Sequence, residues 1–208
     1  RHFRHLDAVA ISHAHSDHMG GMRAIIAAFR PAEFWYGYEA NSPEFLALKQ
    51  AAQDYGVRLK SFHSGDSFAF GGTQFRVLNP QPGSQATDRT MDDVSLVLRL
   101  QYRETLALLE GDSHRKIEQL LIADNPRADV LKIAHHGSLT SSSPEFLAAV
   151  APKYAVVSAG FYNPFRHPRP EVMARYAGSH VITYRTDIAG AVSFYLDGKT
   201  VRAKPVLR

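Results

Sequence analysis

The chain has 208 residues, enough for one large domain or two small ones, and its 45% hydrophobic and 21% charged residues are the balance of an ordinary globular protein. That balance excludes long disorder, collagen-like repeats and low-complexity structure. Cysteine is absent, which removes disulfides, thiolate metal sites and thiol nucleophiles together. The formal charge of +4 permits an anionic partner without demanding one. No apolar run approaches the ~18–20 residues that span a bilayer, and the opening RHFRHLDA lacks the pattern of a signal peptide. The unusual residue is histidine, 11 in all, with five packed into two short clusters.

In chain order, the apolar run Leu6–Ser12 reads as a buried strand, and the polar loop HAHSDHMGG follows it. Met22, Ile25, Ile26 and Phe29 repeat at helical spacing until Pro31. Ser42 and Pro43 are an N-cap and first helical position, with Phe45, Leu48 and Ala52 on one face and Gly56 beyond the end. Val57–Phe62 reads as a strand, and Ser67–Phe70 with Gln74–Leu78 as a hairpin turning on Gly71-Gly72. The stretch Asn79–Asp93 is a long loop. A second strand pair, Val94–Tyr102 and Thr105–Leu109, turns on Arg103-Glu104 and ends in Glu110-Gly111-Asp112. A helix follows at Arg115–Ile122, then the strand Asp129–Ala134, which again ends on a His pair, and a helix from Pro144 with Ser143 as N-cap. Tyr154–Ala159 is a strand, GFYNPFRHPRP a loop and Glu171–Ala177 a helix; His180–Tyr184, Ala191–Tyr195 and Thr200–Ala203 are closing strands. Alternating strands and helices at both ends, with hairpins between, predict two sheets covered by helices: an α/β, four-layered arrangement. No linker splits the chain, so residues 1–208 read as one domain.

His13, His15, Asp17 and His18 form His-x-His-x-Asp-His. Imidazoles and carboxylates suit Zn, Mn or Fe, and a short loop after a buried strand fixes their directions. Asp112, ending a strand, is placed to bridge two cations. Of His135 and His136, one is expected to ligate metal and the other to hydrogen-bond substrate or act as an acid; spacing does not decide which. Ser138, Thr140, Ser141 and Ser142 offer hydroxyls and backbone N–H groups ahead of a helix, suited to a phosphate or to plain capping. Asn163, Arg166 and His167 occupy a loop expected on the metal face, and Tyr36, Tyr38, Phe161 and Tyr162 are candidates to stack bases.

HAHSDHMGG, then EGD, then AHHGS resembles the metallo-β-lactamase superfamily of metallohydrolases. The resemblance implies an αββα sandwich with two divalent metal ions, Zn or Mn, between its sheets. DDVSLVLRL, LLEGD, DVLKIAHHGSLTSSSPEFLAAVAPKYAVVSAG, NPFRHP and TDIAGAV are similar, more specifically, to the C-terminal metallo-β-lactamase-like domain of the ComEC family of competence DNA-uptake channel proteins. Carried over, it implies His13 and His15 on one metal, Asp17 and His18 on the other, Asp112 bridging, and His135 or His136 on the second metal. Where that family reads Asn-Asn-x-Ser, this chain has Asp92-Asp93-Val94-Ser95. Either Asp93 supplies a carboxylate there or the first metal is short of a ligand. Family members also open with a strand pair ahead of the His loop, so the chain is expected to be a fragment lacking its first strands.

The implied function is a metal-dependent nuclease cleaving phosphodiester bonds of DNA, single strands preferred. Asp17 would orient the nucleophile, His136 or His167 would protonate the leaving oxygen, and Ser138, Thr140, Asn163 and Arg166 would hold substrate. The implied setting is a soluble domain of a bacterial membrane protein, partnered by the channel portion of the same parent, on a side of the membrane the sequence leaves open. The rivals are a metallohydrolase of a small ester, lactone or phosphodiester, and a metal-poor module that binds DNA or docks without chemistry.

Overall fold

The computed structural model describes residues 4–206. Strands β1 (Ala8–Ala10), β2 (Glu33–Tyr36) and β3 (Arg58–Ser61) form a parallel three-stranded sheet. Helices α1 (Ser16–Met19), α2 (Met22–Phe29) and α3 (Pro43–Asp54) lie between them in sequence. The second sheet has seven strands, of which β4 (Ser67–Phe70), β5 (Thr73–Asn79), β6 (Val97–Tyr102) and β7 (Thr105–Leu109) pair with one another antiparallel. Its other half, β7 with β8 (Val130–Lys132), β9 (Tyr154–Val157) and β10 (Ile182–Arg185), is parallel. Crossovers between these strands carry α4 (Arg115–Ala123), α5 (Pro144–Val150) and α6 (Pro170–Gly178). A short α7 (Thr186–Ala189) then leads to a separate hairpin, β11 (Val192–Leu196) with β12 (Val201–Pro205).

Side-chain alternation along β2 sorts the layers. Phe34 and Tyr36 pack with Ile26 of α2 and Phe45, Leu48 and Ala52 of α3. Trp35 points the other way, into Phe62, Phe68, Phe70 and Phe75, with ring centroids 5.7, 5.0, 5.1 and 5.7 Å away. These edge-on aromatic contacts join the sheets face to face. On the far side of the larger sheet, Leu108, Leu131, Ala155 and Val157 pack against Ile117 and Leu121 of α4, Phe146 and Leu147 of α5, and Val172 and Tyr176 of α6. The result is helix, sheet, sheet, helix: the four-layered αββα sandwich.

Strand β2 is absent from the pattern read along the sequence. Its four residues, EFWY, are all buried, so no polar–apolar alternation marks them. The expected loop Asn79–Asp93 contains a 3-10 helix at Asp88–Val94, opened by a reciprocal Thr87–Thr90 capping box. The predicted hairpins turn where expected: Gly71 and Gly72 both have positive φ, 58° and 79°, the geometry a two-residue hairpin loop requires.

Candidate metal centre

Four strand ends deliver the chemistry to one edge of the sandwich. Beyond β1, the chain gives Ser12, His13 and His15 and then the single turn of α1 with Asp17 and His18. Asp112 lies three residues past β7, and His135 and His136 follow β8. Beyond β9 runs the loop with Asn163, Phe165 and His167. Because β7, β8 and β9 are parallel, their carboxyl ends share one rim, where loops of open α/β sheets meet their ligands. A backbone hydrogen bond of 2.7 Å from Leu96 N–H to the Ser12 carbonyl ties the first His loop to the second sheet.

Two groups of donors result. In the first, His13 Nε2 and His15 Nδ1 lie 2.9 Å apart and 3.2 and 3.1 Å from Asp92 Oδ1. In the second, Asp112 Oδ2 lies 3.1 Å from His18 Nε2 and 3.3 Å from His136 Nε2, and Asp17 Oδ2 lies 3.6 and 3.2 Å from the same two nitrogens. Ligand bonds of ~2.0–2.1 Å at octahedral to tetrahedral angles would separate neighbouring donor atoms by about 2.9–3.4 Å, so both groups have the spacing of a coordination shell. Asp92 Oδ1 is buried without a hydrogen-bond partner among the described residues, although it faces two imidazoles. A buried carboxylate oxygen in that state calls for a cation. These residues fit divalent metal ions.

The surroundings orient the donors. Ser12 Oγ lies 3.1 Å from His13 Nδ1 and 2.8 Å from His18 Nδ1, bracing one ring of each group. The Ser158 carbonyl lies 2.8 Å from His136 Nδ1 and accepts its proton, so Nε2 is the nitrogen turned to the carboxylates of Asp17 and Asp112. Burial raises the Asp112 carboxyl pKa, but hydrogen bonds from His136 and His18 and the charge of Lys132 outweigh it and hold the group ionised. Asp92 is likewise held low, chiefly by His13 against the opposing effect of burial. Burial pushes the His13, His135 and His167 imidazoles down, whereas the hydrogen bond to Asp112 raises His136. Desolvation, and after it the charge of Glu118, pushes the carboxyl of fully buried Glu110 well up.

Several expectations change in place or role. Asp92, not Asp93, meets His13 and His15: Met91 and Val94 are the buried edge of the 3-10 helix, and that rotation aims Asp92 inward. Asp93 Oδ1 instead lies 3.2 Å from His114 Nδ1. His136, read as either a metal ligand or a proton donor, stands among the second group of candidate donors, while His135 lies 3.9 Å from Asp92 Oδ2 and 3.1 Å from Thr140 Oγ1. The consecutive His135 and His136 both adopt positive φ, 46° and 53°, which splays their rings to different places.

The Ser/Thr run is mainly a rivet. Ser141 Oγ donates to the Ser113 carbonyl, Ser142 Oγ pairs with the Tyr176 hydroxyl, and the Ser142 and Ser143 N–H groups donate to Glu118. Only Thr140 is exposed, while Ser138 Oγ accepts from its hydroxyl. The Asn163 amide is spent on its own loop, donating to the Gly160 and His167 carbonyls and accepting from His167 N–H. Arg166 is exposed at positive φ. Tyr36 is buried in the core and so removed from any surface that could stack bases, and half-buried Tyr38 packs against that core with its hydroxyl accepting from Ala86 N–H. Phe161, Tyr162 and Phe165 are 71, 91 and 72% exposed. They adjoin a cleft of about 240 Å³ lined by Asp17, His136, Asn163, Phe165 and His167.

Fold and donors together define a metallohydrolase-type centre, and the chain belongs to the metallo-beta-lactamase superfamily, whose family pattern matches residues 4–160. Among curated relatives it is 30% identical over 195 residues to ComE operon protein 3 of Bacillus subtilis, covering 92% of this chain and 25% of that protein. It is 34% identical over 205 residues to Competence protein ComA of Neisseria gonorrhoeae, covering 97% and 27%. The chain thus spans about a quarter of the length of these relatives. Among solved structures, the metallo-beta-lactamase fold protein YhfI of Bacillus subtilis superposes with a TM-score of 0.58 at 14% identity, over 86% of this chain and 74% of that one. That likeness corroborates the fold. No helix among the described residues is long and apolar enough to cross a membrane.

Proposed function

We propose that the chain is a two-metal phosphodiesterase acting on DNA, with single strands preferred, and that it works within a larger competence protein alongside a membrane channel portion. The observation that carries this reading is the convergence of His13, His15 and Asp92 with Asp17, His18, Asp112 and His136 at one rim, beside a cleft flanked by exposed aromatics. A pair of Zn or Mn ions bound there would activate water and offset charge on a phosphoryl oxygen.

The protein's own residues do the remaining work. Asp112 turns Oδ2 to His18 and His136 and Oδ1 to Lys132, and Asp17, 60% exposed and facing the cleft, is the group we assign to orient the attacking water as well as to ligate. His167 lines the same cleft opposite Asp17 and is the residue placed to meet the leaving oxygen. Phe161, Tyr162 and Phe165 offer ring faces to unpaired bases, a contact duplex DNA does not permit. Thr140 and Arg166, both exposed, are the polar groups we assign to meet the backbone phosphates. The names of the relatives support the competence setting, and the modest positive charge suits a polyanion.

The test is cleavage of single-stranded and duplex oligonucleotides, beside a panel of esters and small phosphodiesters, by protein loaded with Mn or Zn. Cleavage of the single strand that stops with chelator supports the reading. Turnover confined to the small substrates transfers the site to a small-molecule hydrolase, and no bound metal favours a docking module.

A further inference from the structure

The seven donors of the paired centre leave two imidazoles of the same rim unused. His114 is the residue before α4, two positions past Asp112. Its Nε2 lies 3.1 Å from Asp92 Oδ2, the carboxylate oxygen not engaged with His13 and His15, and its Nδ1 lies 3.2 Å from Asp93 Oδ1. His135 Nδ1 lies 3.9 Å from the same Asp92 Oδ2, with its ring centroid 5.3 Å from that of His114.

We propose that Asp92, His114 and His135 form a third divalent-cation site, with Asp92 bridging it to the paired centre. The proposal rests on the reading of that centre as a metal site. Asp92 divides its oxygens, Oδ1 to His13 and His15 and Oδ2 to His114 and His135, the disposition of a bridging carboxylate. Asp93 Oδ1, 3.2 Å from His114 Nδ1, is likewise buried without a hydrogen-bond partner among the described residues, so it adds a second carboxylate beside the ring. A plain ion pair explains less: His114 Nε2 is buried and makes no hydrogen bond to Asp92 or to any other described residue despite the short separation. A cation between them satisfies both. A third ion there would extend the positive surface towards the face carrying Thr140, where a phosphate oxygen of a bound strand can reach it.

Chelator-stripped protein is dialysed against rising Mn(II), and metal per chain is measured by elemental analysis. Wild type should saturate at three, and His114→Phe and His114→Ala at two, with circular dichroism confirming folding. Wild-type crystals soaked in Mn(II) should show a third anomalous peak among Asp92, His114 and His135, a readout that needs no variant. Saturation of wild type at two, or a folded His114 variant still holding three, overturns the proposal and leaves the phosphodiesterase reading intact. Saturation below two overturns both.

Discussion

Asp17 and His136 stand 119 positions apart in the chain, and their side chains meet at 3.2 Å across the mouth of the centre. The pair closes the second donor group by joining the α1 turn to the end of β8. Removing either donor should therefore empty one position rather than unfold the domain. His136→Ala is expected to lose about one cation per chain and at least ~10²-fold of hydrolytic rate, with the melting temperature of metal-free protein nearly unchanged. Elemental analysis beside single-turnover cleavage checks both, and a variant with full metal content would contradict the assignment.

Asp92 and Asp93 are chemically identical neighbours, so exchanging each in turn separates geometry from composition. Asp92→Asn should cost ~10²-fold or more in activity and weaken metal binding, whereas Asp93→Asn, acting only through His114, should cost about tenfold or less. Equal losses in the two variants would show that the 3-10 helix is not oriented as described.

A base-stacking role for the aromatic loop predicts a defect in binding alone. Replacing Phe161 and Tyr162 together with Ser should weaken single-stranded DNA binding by about 30-fold or more, since each stacked base contributes ~1–3 kcal/mol. Metal content and turnover of a small phosphodiester should not move. Fluorescence anisotropy with a labelled oligonucleotide decides it.

Gly111 makes the turn that aims Asp112. Its φ is +60°, and a Cβ would lie 2.8 Å from the Cβ atoms of both Ser12 and Ser95. Gly111→Ala should destabilise the protein by about 2–3 kcal/mol and lower metal affinity, because the clash pushes apart the two loops that carry the donors. Chemical denaturation and metal titration of the same variant test the coupling.

Away from the centre, Glu33 provides a pH signature. Its carboxylate accepts from Lys60, Trp35 and Arg58, and these contacts hold its pKa at about 2 against an ordinary 4.5, with Lys60 the largest cause. A depressed pKa stabilises the ionised fold, so the contribution is complete above pH 4.5 and is lost as pH falls from there to about 2. With Arg58 and Lys60 open to solvent, it amounts to about 1 kcal/mol. The melting-temperature gap between wild type and Glu33→Gln should persist from pH 7 to 5 and vanish near pH 2.

The sequence by itself determined the layer order and most of the donors. Met22–Phe29 and Pro43–Asp54 announce themselves by helical periodicity and capping, and His-x-His-x-Asp-His places four donors within six positions, where local backbone geometry suffices to gather them. Only the tertiary structure decided between Asp92 and Asp93, set His135 and His136 in different places, brought in His114, and made the Ser/Thr run, open between a phosphate site and plain capping, a rivet. Each of those outcomes depends on which way a short irregular segment is rotated against elements far away in the chain. Composition and spacing are local quantities and carry no record of that rotation; the packing of Met91, Val94, Glu118 and Tyr176 in the interior sets it.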